Sequence, residues 1–298
     1  MGLRFKFNLI LFFAFAIGFV SAGFFAFNIL QQNAREEVLH NAGIMMASAM
    51  AIRGYTVNEI KPLLARQQKK QFLPQTVPAY AATQNIKRLR VNYPDYIYKE
   101  ATINPTNPMN RAAAWEMDVV EWFRSHPEEK EFVGERNTPT GPSLFLSRPI
   151  RVKNEGCLNC HGMINDAPET MKELYGSANG FGWKMNQVVG VQVVSVPSTI
   201  PFKRAERAFF TFMGSLLGVF IIIALLLNLT LHGMIIKRIR VMSRLANEVS
   251  MGGTEQPEFE PKGNDEITSL AKSFNRMRRS LGSAINMLDD TIYNKPPR

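Results

Sequence analysis

The chain has 298 residues, enough for one sizeable core with further elements, and a formal net charge of +10. Much of that charge flanks two apolar runs, where Lys and Arg meet anionic lipid head groups. No basic run interleaves with aromatics as single-strand binding requires, so no nucleic-acid partner is expected.

In chain order, a short N-terminus (1–6) precedes an uncharged apolar run at 7–30, read as a first transmembrane helix over 7–31. At about 1.5 Å per residue the run exceeds a hydrocarbon core of about 30 Å, and a helix satisfies its own backbone in lipid. A cleaved signal peptide ending at Val20-Ser21-Ala22 is the rival, but the apolar run continues to Leu30, past a usual h-region. The second run, 208–231, predicts a second span over 208–236. Arg4 and Lys6 precede the first span, and Lys237, Arg238, Arg240 and Arg244 follow the second. The positive-inside tendency therefore puts both termini in the cytoplasm and residues 32–207 outside, across a bacterial cytoplasmic or thylakoid membrane.

Within 32–207, Val38, Ala42, Met45, Met46, Ala49 and Ile52 recur at helical spacing, predicting a helix over 33–53 that extends the first span as a single rod. Gly54 is expected to interrupt it, with a shorter helix following to Gln68 and mostly loop at 69–87. Asn104-Pro105-Thr106-Asn107-Pro108 is turn chemistry. A helix is expected at 109–125, with Ala113, Met117, Val120 and Phe123 on its apolar face. Strands are expected at 144–152, where Pro149 points to an edge or bulge, at 188–196, and more weakly around Tyr96-Ile97-Tyr98. The fold class is α+β: helices around a small antiparallel sheet.

Beyond the second span, Ile239, Met242, Ala246 and Val249 are spaced 3, 4, 3. A connector with Gly252, Gly253, Pro257, Pro261 and Gly263 follows. Ile267, Leu270, Phe274, Met277, Leu281, Ala284 and Leu288 then repeat in heptads. Two such seams cannot bury themselves alone, so residues 237–288 are expected to form a parallel homodimer, with 289–298 a C-terminal tail. Residues 237–298 contain no histidine to accept a phosphoryl group, so output is expected through a separate cytoplasmic signalling or electron-transfer partner.

The only two cysteines fall in Cys157-Leu158-Asn159-Cys160-His161. This C-x-x-C-H spacing lets two thiols add to the vinyl groups of one haem while the histidine reaches its iron, predicting one covalent haem c with His161 as proximal ligand. A Cys157–Cys160 disulfide would leave His161 unexplained. A thioredoxin-like pair would want a βαβ setting, and a zinc site more ligands than the sequence supplies.

Seven stretches across residues 34–200 resemble the bacterial c-type haem sensor domain with a PAS-like fold, often found before HAMP domains. They are Ile52-Arg53-Gly54-Tyr55-Thr56, Val77-Pro78-Ala79-Tyr80-Ala81-Ala82, residues 104–108, Arg148-Pro149-Ile150, residues 156–162, residues 176–183, and residues 190–197. The resemblance implies a PAS-like sheet enclosing the haem. The last segment resembles a HAMP signal-relay domain through Asp265-Glu266-Ile267, Leu270, Phe274-Asn275-Arg276-Met277 and a turn at Gly252. It departs from that pattern at Arg238, where a proline is expected.

Met50, one turn beyond Met46, is the leading candidate for the sixth iron ligand; His126, Met46, His40 and an open or water-ligated iron are the alternatives. His232 lies at the wrong membrane face. Arg53, Tyr55, Arg148 and Arg151 are candidate partners of the haem propionates, and Phe181 and Trp183 candidate walls of the pocket. No distal His/Arg pair stands out, so no catalytic residue and no enzyme activity are expected. These features predict a redox or diatomic-ligand sensor that signals through HAMP; a membrane-tethered electron carrier is the alternative.

Overall fold

The computed structural model describes residues 2–251, 258–260 and 263–293. It contains two compact units, Phe25–Phe210 and Met1–Phe24 with Thr211–Arg298. Two of its helices are long and apolar enough to cross a membrane.

The first of these is α1 (Leu3–Tyr55). In its second half Ala34, Val38, Ala42, Met45, Met46 and Ala49 are buried, a stripe of small and flexible side chains that lets the helix lie close on a sheet. The expected break at Gly54 is absent. The helix passes through it and winds on as a π-turn at Thr56–Ile60. A mid-helix glycine costs only about 1 kcal/mol, and bonds on either side hold this one: Arg53 reaches Glu100, and Thr56 Oγ1 donates to the Ile52 carbonyl at 2.7 Å.

Short pieces follow, α2 (Lys61–Leu63), α3 (Ala65–Gln68) and a 3₁₀ turn (Pro74–Thr76), before α4 (Pro78–Leu89). The expected loop at 69–87 is thus half helix. Pro78 is the first helical residue, where its missing N–H costs nothing, and Ala82 and Ile86 form the buried face.

Four strands form one antiparallel sheet in the order β1-β4-β3-β2: β1 (Ile97–Thr102), β2 (Phe132–Thr138), β3 (Gly141–Arg151) and β4 (Val188–Pro197). Central β4 is buried at nine successive positions because helices cover both faces, which is why its valines do not alternate with polar residues. On one face Tyr98, Leu144, Leu146, Val194 and Val196 meet α1 and α4. On the other, Ala101, Phe145, Val191 and Val193 meet Val119, Val120 and Phe123 of α5 (Ala114–Ser125).

Pro149 lies past the last β2 partner, at Ser147, and just before the register shift at Ile150/Arg151. It therefore interrupts no ladder between β2 and β3. β2 was not anticipated from sequence. It is an edge strand whose centre is Gly134-Glu135-Arg136-Asn137, with intermediate and exposed positions alternating along its length. Two short helices, α6 (Glu155–His161) and α7 (Glu169–Tyr175), lie between β3 and β4.

Helix α8 (Thr199–Thr230), which enters the other unit at Thr211, leads through a π-helical stretch (Leu231–Ile236) into α9 (Lys237–Ser250). Phe15 stacks on Phe220 at 4.5 Å, and Asn228 Nδ2 donates to Asn8 Oδ1 at 2.8 Å, tying α1 to α8 within the apolar segments. Helix α10 (Glu266–Tyr293) packs on α9 through Met242, Leu245 and Ala271. Asn275 bonds both the N–H and the carbonyl of Phe259.

Arg238 grips Asp265, donates to Thr268 Oγ1 at 2.8 Å, and so fastens the start of α9 to the start of α10. That pairing holds the Asp265 carboxyl well below the usual carboxylate range. The expected turn at Gly252 lies outside the described residues.

Candidate functional site

Helix α6 is built around the C-x-x-C-H segment. Asn154 caps it by accepting from the Gly156 N–H at 2.7 Å. It ends at Gly162, where any Cβ would collide with the Leu158 carbonyl. One turn of helix sets Cys157 beside both Cys160 and His161 on the same side. Both thiols are free and half-buried. Cys160 packs against Phe72, Ala167 and Met171, with Phe181 alongside. Burial pushes its thiol pKa up, opposed by the charge of Lys61 and assisted by Cys157.

His161 is held with unusual definition. Its Nδ1 lies 2.8 Å from the Gly180 carbonyl, which can only accept, so the proton is on Nδ1 and Nε2 keeps its lone pair. Burial pushes the imidazole pKa down, against the Gly180 bond, which favours the neutral ring that a metal needs. Trp183 stacks on the ring at 4.0 Å and 16°.

The loop carrying Gly180 and Trp183 is laced to the end of α6. The Trp183 N–H donates to the His161 carbonyl at 3.0 Å, and the Gly182 N–H to that of Gly162 at 2.8 Å. Gly180 has φ +88° and its Cβ would strike Thr106, so only glycine serves there. Asn104 Oδ1 accepts from the Gly180 N–H at 3.2 Å. Gly180, Thr106 and Asn104 thus orient the histidine. The turn-rich 104–108 and glycine-rich 176–183 stretches were visible in the sequence, but their meeting was not.

Two free thiols and an imidazole with a bare Nε2, all on one helical turn, fit covalent haem attachment. Among the described residues no group of three or more His, Cys, Asp or Glu is arranged to hold a metal ion.

The remaining candidates fall in varied settings. Met50 is 42% exposed, and its Sδ accepts from Gln192 Nε2 at 3.4 Å, whereas Met46 is fully buried in the core. His40 is exposed. His126 is exposed too, stacked on Trp122 with Nδ1 against the Trp122 carbonyl. Arg53 is ion-paired with Glu100, and Tyr55 is 60% exposed. Arg148 pairs with Glu131, and Arg151 donates to the carbonyls of Asn186 and Pro127. His232 belongs to the π-helical stretch of the other unit.

Fold and site together define an α+β domain with a C-x-x-C-H helix, flanked in sequence by two helices long and apolar enough to cross a membrane and followed by a pair of amphipathic helices. Residues 31–197, more than half of the chain, match the Tll0287-like family, and the protein belongs to it. Residues 230–283 match the HAMP domain. The crystal structure of the cyanobacterial haem protein Tll0287 aligns with 54% of this chain and 95% of its own, at 17% identity and a TM-score of 0.42. Comparison with curated proteins found no match.

Proposed function

We propose that this protein is a membrane-anchored sensor carrying one covalent c-type haem in a PAS-like domain outside the cytoplasm, which relays the state of its iron through HAMP. A haem supplies an iron that changes oxidation state and takes diatomic ligands. The observation that carries the proposal is the engagement of His161 Nδ1 by Gly180, which leaves Nε2 as the only donor beside two free thiols. Cys157 and Cys160 hold the macrocycle, His161 is the proximal ligand, and Trp183 fixes its ring.

Met50 is assigned as the distal ligand. It is the methionine of the α1 stripe whose thioether is not consumed by the core, and α1 is the helix that also contains the first apolar span. With both termini cytoplasmic, residues 32–207 outside and 237–288 forming a homodimeric relay, a change at Met50 would act on α1 and bias a two-state helical bundle. The chain itself performs no catalytic step; a cytoplasmic partner takes the output.

Haem attachment is tested on a denaturing gel stained for haem peroxidase activity. The wild-type band should vanish in the Cys157→Ala, Cys160→Ala double variant. A stained band that survives the double change would overturn covalent attachment.

A further inference from the structure

A buried polar chain joins the sheet to α1 and has no part in the roles above. Glu100 on β1 and Gln192 on β4 are register partners, 4% and 6% exposed. Glu100 accepts from Arg53 Nη1 at 2.6 Å and from the Tyr98 hydroxyl at 2.7 Å. Gln192 Nε2 is 3.4 Å from the Tyr98 oxygen and 3.4 Å from Met50 Sδ.

The directions of these bonds follow from one another. Glu100 is ion-paired with Arg53, so it accepts, and Tyr98 commits its single proton there. The Tyr98 oxygen then has only lone pairs to offer Gln192. The amide must turn its NH₂ rather than its carbonyl toward Tyr98, and its second N–H is left for Met50. Amide orientation is otherwise ambiguous from heavy atoms alone. Here it is set by Arg53, three residues beyond Met50 on the same helix.

We propose that Gln192 is a positioning residue for the Met50 thioether, donating to one lone pair of Sδ and leaving the other free for the haem iron. This rests on Met50 as distal ligand. An N–H on sulfur draws electron density away, which weakens donation to ferric iron more than to ferrous and so favours the reduced state. Arg53, Glu100 and Tyr98 act through Gln192 by keeping the amide turned.

The test uses the full chain purified in detergent, read by absorption spectra and by potentiometric titration. Gln192→Leu should keep the thioether-ligated spectrum in both oxidation states. It should shift the ferric-to-ferrous ratio at fixed poise about fivefold toward ferric, the factor equivalent to one hydrogen bond of about 1 kcal/mol. Tyr98→Phe should shift it the same way by less, since the amide is then free to turn. Val194→Ala, a cavity in the same sheet face, should lower thermal stability and leave the ratio unchanged. Met50→Ala should open the iron to carbon monoxide.

If Met50→Ala leaves the spectra as they were, the ligand assignment fails and the role of Gln192 with it. If Met50→Ala alters them while Gln192→Leu stays within twofold of wild type, the role of Gln192 alone is overturned. Should Gln192→Leu not fold, an unchanged ratio in Tyr98→Phe overturns it instead.

Discussion

Two arginine–carboxylate pairs in the domain have similar geometry and different consequences. Arg148 and Glu131 are 37% and 46% exposed, so water screens the pair and it contributes at most about 0.5 kcal/mol. Arg53 and Glu100 are 25% and 5% exposed, and among the described residues the carboxylate bonds otherwise to Tyr98. Removing Arg53 strands a buried carboxylate, at a cost of about 3 kcal/mol. We expect Arg53→Leu to lower the melting temperature by roughly 6–12 °C and Arg148→Leu by less than about 2 °C. Equal effects in a thermal melt would contradict the difference in burial. At this scale the cluster of Cys157, Cys160 and His161 was legible in the sequence because all three lie on one local turn. Met46 and Met50 were not separable by spacing, since they share a stripe; packing alone shows Met46 filled in and Met50 half exposed. The partners of Arg53 were equally hidden, because Glu100 and Gln192 reach the helix from strands distant in sequence.

Among the elements, the relay helices make the clearest distinction between buried and unpartnered faces. In α10, Ile267 and Phe274 pack against α9 while Leu270, Met277, Leu281 and Leu288 remain exposed. The heptad seam read from sequence is therefore divided between a part packed on the neighbouring helix of the same chain and a part that is exposed. Leu245 of α9, outside the expected spacing, is buried beside Met242. Single cysteines at Leu270 or Met277 should cross-link to their own copies in a second chain, at least about tenfold faster than one at the solvent-facing Lys272. Fastest cross-linking at Lys272 would rule out this register. Arg238, where the HAMP pattern expects proline, is not an idle departure, since its guanidinium joins the two helix starts through Asp265 and Thr268. Strand β2 and helix α4 escaped the sequence reading for opposite reasons. β2 is a half-exposed edge whose pairing with β3 overrides a poor strand composition, and α4 begins at the proline that suggested a loop.

For the molecule as a whole, α1 contains in one helix the first apolar span, the core stripe and Met50. If the protein senses through that helix, oxidation and reduction should change the cross-linking rate at Leu270 by at least about twofold. Equal rates in the two redox states would favour a tethered electron carrier. The apolar runs, their basic flanks, the C-x-x-C-H turn and the heptads were determined by the sequence alone. Each is a local pattern whose meaning depends on composition and on spacing within a few turns of chain. Tertiary structure alone decided which nitrogen of His161 is left free, which methionine escapes the core, and how Gln192 turns its amide. Each of those depends on groups brought together from strands and loops far apart in sequence, where a single hydrogen bond or a few square ångströms of burial sets the chemistry of the side chain.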